Sequence, residues 1–349
     1  MPIVTRQIVR AEGPDLFEVE LHNEFLTVRL LNIGATLWEL RRSGEVGPSL
    51  CLAMPTAADY PPGSGYIGVT AGPVANRIAG ARFEIDGRRY ELDANEGPHQ
   101  LHGGPTGFSH KPWAADVDQN PDRVRFTLRR PDGEGGYPGN LEVSVTYALE
   151  ANRVRYRWTA ATDQPTPVSL TNHAYWNLAG VGTIADHTVQ VPAGALVAVD
   201  QDSIPTGELM TVDGTAYDLR TAAPLGERIA QLGDGIDHCY VLDRLDVPDQ
   251  SGGERSTTVR GAGRISEPVV LSHPVSGRSL TITTTLPGIQ VYTGQFLNGS
   301  PDVGGHRQYA GLCLETQHLP DAVNQPSFPS CLVHPGRPVS HLTDYIFDL

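Results

Sequence analysis

Hydrophobic and polar positions alternate with a period of two along most of the chain. Phe17, Val19 and Leu21 are spaced by Glu18 and Glu20, and Val124, Phe126 and Leu128 repeat the pattern. Leu141, Val143, Val145, Tyr147 and Leu149 form a longer run, followed after a short polar link by Val154, Tyr156 and Trp158. Phe83 and Ile85 on one side, and Tyr90 and Leu92 on the other, flank Asp86-Gly87, a dipeptide suited to the tight turn of a β-hairpin. Residues 280–286 are rich in Thr and Ile, and the segment from Ile289 to Tyr292 continues an extended pattern after Pro287-Gly288. Only residues 223–232 carry a helical pattern. Runs of this kind recur about every ten residues with Gly, Pro, Asn and Asp between them, which predicts an all-β chain built as a large antiparallel β-sandwich.

Composition supports that reading. Of 349 residues, 38 are Gly and 28 are Pro, and both are disfavoured in helix interiors. The apolar share of 39% is enough for a core, and a chain of this length buries most of its surface without needing disulfides. No internal repeat or low-complexity linker divides the sequence. Polar residues 243–260 read as an exposed loop between strands, so residues 1–349 read as one domain.

The 40 acidic residues outnumber the 26 basic ones, giving a formal net charge of −14, which argues against nucleic-acid or membrane-surface partners. Lys111 is the single lysine, so no other position can supply a lysine nucleophile. Cys51, Cys239, Cys313 and Cys331 show no C-x-x-C and no zinc-like spacing, so free buried thiols in a reducing compartment are expected. With no signal-like apolar run after Arg10 and no apolar stretch near 18 residues, a cytoplasmic protein is expected.

Five short segments crowd polar groups against Gly, Pro or aromatic residues: Gly72-Pro-Val-Ala-Asn-Arg-Ile78, Leu101-His-Gly-Gly104, Thr171-Asn-His-Ala-Tyr-Trp-Asn-Leu178, Ile236-Asp-His-Cys-Tyr240 and Cys313-Leu-Glu-Thr-Gln317. Burying a charge is costly unless it is paired, so ionisable residues within such strands point to a structural network or to an active site. Arg77 could simply clamp a loop, His102 could close a turn, and either Asp237 or His238 could point inward. Glu315, set among Cys313, Leu314 and Leu312, and His173, followed by two aromatics, are harder to explain structurally. Eight other histidines, among them His99, His187 and His341, sit in loop-like surroundings and default to solvated or structural roles. His102 and His173 with Asp237 or Glu315 could in principle form a two-histidine, one-carboxylate metal set, although no compact ligand motif supports it. The chain has no G-x-S-x-G elbow and no phosphate loop. A histidine and a carboxylate on different strands, suited to metal-free acid–base catalysis, remain.

Taken in order, these segments resemble the aldose 1-epimerase family, the mutarotases. The resemblance rests on Ala75-Asn-Arg-Ile78, Asn95 with Leu101-His-Gly-Gly104 and Gly107-Phe108, and Asp132-Gly-Glu with Gly136-Tyr-Pro-Gly-Asn-Leu141. It continues through Thr171-Asn-His173 with Tyr175 and Asn177-Leu178, Asp237-His238, Ser276-Gly-Arg278, Pro287-Gly-Ile-Gln-Val-Tyr-Thr-Gly294, and Glu315-Thr-Gln317 with Pro320-Asp-Ala322. It implies a mutarotase-like supersandwich with the sugar in an open cleft. The implied activity is interconversion of the α and β anomers of free aldohexoses such as galactose and glucose, by a monomer or homodimer that needs no cofactor. His173 matches the family's general acid and Glu315 its general base. Asn76, Arg77, His102, Asp237 and Gln290 match positions that bind sugar hydroxyls or the ring oxygen.

Opening a cyclic hemiacetal requires a base for the C1 hydroxyl proton and an acid for the ring oxygen, here expected on opposite sides of one carbon–oxygen bond. The reading expects Glu315 ionised and His173 protonated, the latter favoured by a carboxylate such as Asp237. Where the chain has Pro73, Trp176 and Gln295, family members often carry Arg, Phe and Asn. Trp176 is expected to add bulk near His173 and so to bear on sugar preference. A hexose-6-phosphate epimerase of the same fold would need basic residues for phosphate and usually has a His-Gly-Phe-Ala-Arg-like segment where this chain reads Leu-His-Gly-Gly. A sugar-binding protein without turnover would have no need of both His173 and Glu315.

Overall fold

The computed structural model describes residues 4–8, 16–61, 63, 65–117, 122–242 and 267–349. The polar segment 243–260 lies outside them. Strand-strand pairing dominates, and every pairing between named strands is antiparallel. A nine-stranded sheet is centred on Leu141–Glu150, Arg153–Thr162, Val339–Asp348 and Arg278–Thr284. A six-stranded sheet runs in the order Tyr175–Trp176, Leu312–Gln317, Gly288–Tyr292, Asp237–Val241, Ala195–Val199, Pro205–Thr211. A four-stranded sheet, Val4–Ile8 to Thr36–Arg42, precedes both in sequence.

The period-two signal translates directly into packing. Val143, Val145 and Tyr147 of the nine-stranded sheet share one buried cluster with Leu312, Leu314, Ile289 and Val291 of the six-stranded sheet, so the two sheets enclose a common core. Thr316 Oγ1 meets Thr343 Oγ1 at 2.7 Å, a polar rivet between them. The outward positions of the nine-stranded sheet, such as Arg123, Arg125 and Glu142, are exposed. The Asp86-Gly87 hairpin forms as expected, with φ of 51° and 78° at its two central residues, the left-handed pair that a two-residue turn demands. All four cysteines are free and buried. No helix among the described residues is long and apolar enough to cross a membrane.

Two local readings change. In Leu16–His22 the inward positions are Leu16, Val19 and Leu21, while Phe17 is exposed and Glu18 is buried. The Arg29 guanidinium binds Glu18 at 2.6 Å and Glu39 at 2.7 Å while lying over the Trp38 ring, so a charge network covers the side where solvent was expected. The one α-helix among the described residues begins at Leu225 rather than 223, because Ala223 and Pro224 pair with Val189 and Thr188 as a strand.

Candidate active site

The strand Leu312–Gln317 is buried at all six positions, so period two sorts its side chains between two interiors. Leu312 and Leu314 join the core, whereas Cys313, Glu315 and Gln317 share the opposite face. The register aligns that face across the sheet. Tyr175, Cys313, Tyr292 and Asp237 form one rung, and Glu315, Gln290 and Cys239 form the next. The aromatic, amide and carboxylate groups of these rungs therefore stand side by side on the floor of a cavity of about 440 Å³.

The walls come from three chain segments held in strained backbone. Tyr66, Asn76 and His102 adopt φ of 50°, 63° and 52°, a region that L residues rarely occupy and that is over-represented at functional sites. Gly103 beside His102 has no substitute, since a Cβ there would lie 2.0 Å from the Gly72 carbonyl oxygen. Arg77 pairs in register with Leu101, which brings the Asn76-Arg77 and Leu101-His102 segments together. On the third side, His173 N–H donates to Val69 O and Gly68 N–H donates to His173 O, both at 2.9 Å, fixing that residue's backbone against the loop carrying Tyr66.

All seven residues expected from the sequence line this one cavity: Asn76, Arg77, His102, His173, Asp237, Gln290 and Glu315. His173 Nε2 lies 3.6 Å from Glu315 Oε1, with both side chains almost fully buried. Glu315 Oε2 and Gln290 Oε1 have no hydrogen-bond partner among the described residues. Gln290 Nε2 donates to Asp237 Oδ1 at 2.7 Å. Arg77 donates to both oxygens of Glu96, at 2.7 and 3.0 Å, so a carboxylate at the rim holds its guanidinium. The rings of Tyr66, His102, His173, Tyr175 and Tyr292 form a continuous aromatic wall, with centroid spacings from 4.6 to 6.5 Å.

Burial governs the charge states. Desolvation pushes Glu315 well above the usual carboxylate range, reinforced by Asp237 and opposed by Arg77. It raises Asp237 too, against the Gln290 hydrogen bond and Arg77. The same effect lowers His173 to about 4 and His102 well below the ordinary imidazole value. Burial thus works against the charge state expected from the sequence: it favours a neutral imidazole and a protonated carboxyl, because little solvent reaches either group to stabilise the ionised pair.

His102, His173 and Glu315 bring one candidate ligand atom each to within 4.8 Å of one another, close to the metal set considered above. The Asn76 N–H, however, donates to His102 Nδ1 at 3.2 Å. That hydrogen bond leaves the proton of neutral His102 on Nε2, making the ring's other nitrogen a hydrogen-bond donor rather than a lone-pair ligand.

Sequence reasoning passed over several other lining residues, Tyr66, Glu96 and Phe296 among them. Glu96 sits in a polar Asn-Glu-Gly-Pro turn and carried no apolar context to mark it. Trp176 corrects the opposite error. Its indole packs in the core against Tyr345 and Phe347, at 5.3 and 5.6 Å, on the face away from His173. Pro73 and Gln295 do not line the cavity.

Comparison with known proteins bears on what this cavity does. The family described as aldose 1-epimerase matches residues 18–345. A galactose mutarotase of Sus scrofa is 39% identical over 338 residues, covering 95% of this chain and 93% of that protein. An aldose 1-epimerase of Escherichia coli (strain K12) is 34% identical over 340 residues, covering 93% of each. The crystal structure of a galactose 1-epimerase from Lactobacillus acidophilus NCFM superposes with a TM-score of 0.82 at 26% identity, covering 99% of this chain and 98% of that one.

Proposed function

The chain belongs to the aldose 1-epimerase family, and we propose that it interconverts the α and β anomers of free aldohexoses, galactose and glucose among them, by acid–base ring opening and re-closure. It is thus an isomerase. The observation that carries the mechanism is the buried contact of 3.6 Å between His173 Nε2 and Glu315 Oε1.

The two oxygens that exchange protons in a hemiacetal are both bonded to C1. An acid and a base that serve them must therefore stand close together, each within reach of one of these two oxygens. In the cyclic complex Glu315 is the carboxylate and His173 the imidazolium. Glu315 takes the C1 hydroxyl proton, the bond from C1 to the ring oxygen breaks, and His173 Nε2 delivers a proton to that oxygen. The products are the open-chain aldehyde, a carboxylic acid and a neutral imidazole. Rotation about C1–C2 turns the other face of the aldehyde to the attacking hydroxyl, and the reverse transfers close the ring to the second anomer.

The pair carries the same number of protons throughout. Burial favours the uncharged arrangement, which is the protonation state of the open-chain complex, the species that is scarce in water. Arg77, His102, Asn76, Asp237 and Gln290 hold the remaining hydroxyls, and the aromatic wall receives the apolar ring face. Glu96 occupies Arg77, and Asp237 and Glu315 add acidic groups, which disfavours a sugar phosphate. The free thiols suit a cytoplasmic setting in hexose metabolism.

The test is the optical rotation of freshly dissolved α-D-galactose and α-D-glucose with and without protein. Accelerated relaxation to the same final rotation supports the reading. Relaxation at the buffer rate for every free aldohexose would overturn it in favour of a binding protein.

A further inference from the structure

The mechanism gives no task to the hydroxyl of Tyr66 or to Asn95, although both residues line the cavity. Leu101 fixes the Asn95 amide. Its Oδ1 accepts from the Leu101 N–H at 2.7 Å, and its Nδ2 donates to the Leu101 carbonyl at 3.1 Å. Exchanging the amide oxygen and nitrogen would set donor against donor and acceptor against acceptor, so the orientation has one solution. Nδ2 carries a second hydrogen, which it donates to Tyr66 Oη at 3.4 Å.

The direction of that bond decides what Tyr66 has left. An amide NH2 cannot accept, so the phenol oxygen is the acceptor and its own proton is unspent. Among the described residues no acceptor meets that proton. Burial raises the phenol above its ordinary value, against the Asn95 hydrogen bond, so the proton is present at neutral pH. The ring itself is 9% exposed and stands 4.6 Å from the ring of His102 and 5.9 Å from that of His173. His102 is a donor on the same wall, because the Asn76 N–H occupies its Nδ1 and leaves the proton on Nε2. The floor presents acceptors. Gln290 spends Nε2 on Asp237 and keeps Oε1 open, and Glu315 Oε2 is unpartnered among the described residues.

We infer that Tyr66 is a further substrate-binding residue, whose hydroxyl donates a hydrogen bond to an oxygen of the sugar, and that Asn95 is the positioning residue that keeps it a donor. Donors of fixed direction on one wall and acceptors on the floor suit a polyol, in which every hydroxyl both accepts and donates. The inference rests on the sugar-binding reading of the cavity and deepens it.

The test is a cycle between protein and ligand that needs no turnover. Dissociation constants of D-galactose, D-glucose, their monodeoxy derivatives and their carba analogues, which lack the ring oxygen, are measured by calorimetry on wild type and on Tyr66→Phe, which keeps the ring. Tyr66→Phe is expected to weaken the parent sugar about fivefold, the scale of one neutral hydrogen bond. The analogue lacking the oxygen that Tyr66 meets is expected to bind both proteins equally. Asn95→Asp retains an acceptor for the Leu101 N–H but takes the Tyr66 proton itself. It is expected to weaken the parent sugar as Tyr66→Phe does, and to add little when the two changes are combined.

Unchanged binding in Tyr66→Phe, or equal weakening of every analogue, overturns the inference even if the wild type accelerates mutarotation. Asn95→Asp binding as tightly as wild type overturns the donor direction. Should that variant fail to fold, the Tyr66→Phe cycle alone decides the contact. The expected coupling in a protein that does not accelerate mutarotation would instead overturn the proposed function and leave the inference standing.

Discussion

The two large sheets bury their ionisable residues in opposite ways, and the contrast locates the chemistry. In the nine-stranded sheet one face is core and the other is water, so Arg125 and Glu142 project into solvent at little cost. The central strands of the six-stranded sheet are covered on both faces, and there Glu315, Asp237 and Gln290 project into the cavity instead. The first sheet spends its polar residues on solubility. The second holds a carboxyl at 2% exposure with one oxygen unpartnered, which a structural role would not require.

If that contrast is right, the largest effect comes from Glu315→Gln. Loss of the base should lower kcat for mutarotation by about 10²–10⁴ while sugar binding stays measurable, whereas Glu142→Gln on the outer face should leave both unchanged. The same variant should melt at a higher temperature than wild type. Burial raises the folded-state pKa of Glu315, so the stability it contributes is complete below the ordinary carboxylate pKa and is lost as pH rises through the raised value. The gain in Tm for Glu315→Gln should therefore vanish in acid and grow toward alkaline pH; a gain independent of pH would contradict the burial argument. His173→Asn should match the loss of kcat in the same optical-rotation assay.

The pH profile is the next discriminator. The reacting pair works with one shared proton, so kcat/KM should be bell-shaped. Activity should fall on the acid side as a second proton binds, near the His173 value of about 4, and on the alkaline side as the pair loses its proton above the usual carboxylate range. An alkaline limb at ordinary carboxylate pH would show that the cavity is far wetter than the structure.

Smaller effects are expected away from the pair. Arg77→Ala removes a guanidinium held by Glu96 and should raise KM by about tenfold, from the loss of one charged hydrogen bond, with kcat less affected. Trp176→Phe, on the core side of the same sheet, should lower Tm and leave the kinetics alone. A change in sugar preference in that variant would reinstate the expectation that the structure has corrected.

The strands were legible because their alternation is a direct imprint of one wet and one dry face. The polar segments stood out because charge within an apolar run is costly, and all seven residues chosen on that basis and by family resemblance meet in one cavity. Phe17 and Glu18 were misread because an Arg29 network replaces solvent on one side of their strand, and such a network joins residues far apart in sequence. Glu96 was missed for a similar reason: its importance lies in its pairing with Arg77, 19 positions away, and nothing in its own neighbourhood signals it.

What the sequence by itself determined is the class of fold and the kinds of groups available, since both follow from local periodicity and from the cost of isolated charge. Only the tertiary structure decided which face of each doubly buried strand carries the chemistry, and it sent Glu315 to the cavity but Trp176 to the core. It also decided which way the pKa values of the reacting pair are pushed. A pKa depends on how much water and which charges surround a group in space, and those neighbours are brought together by folding.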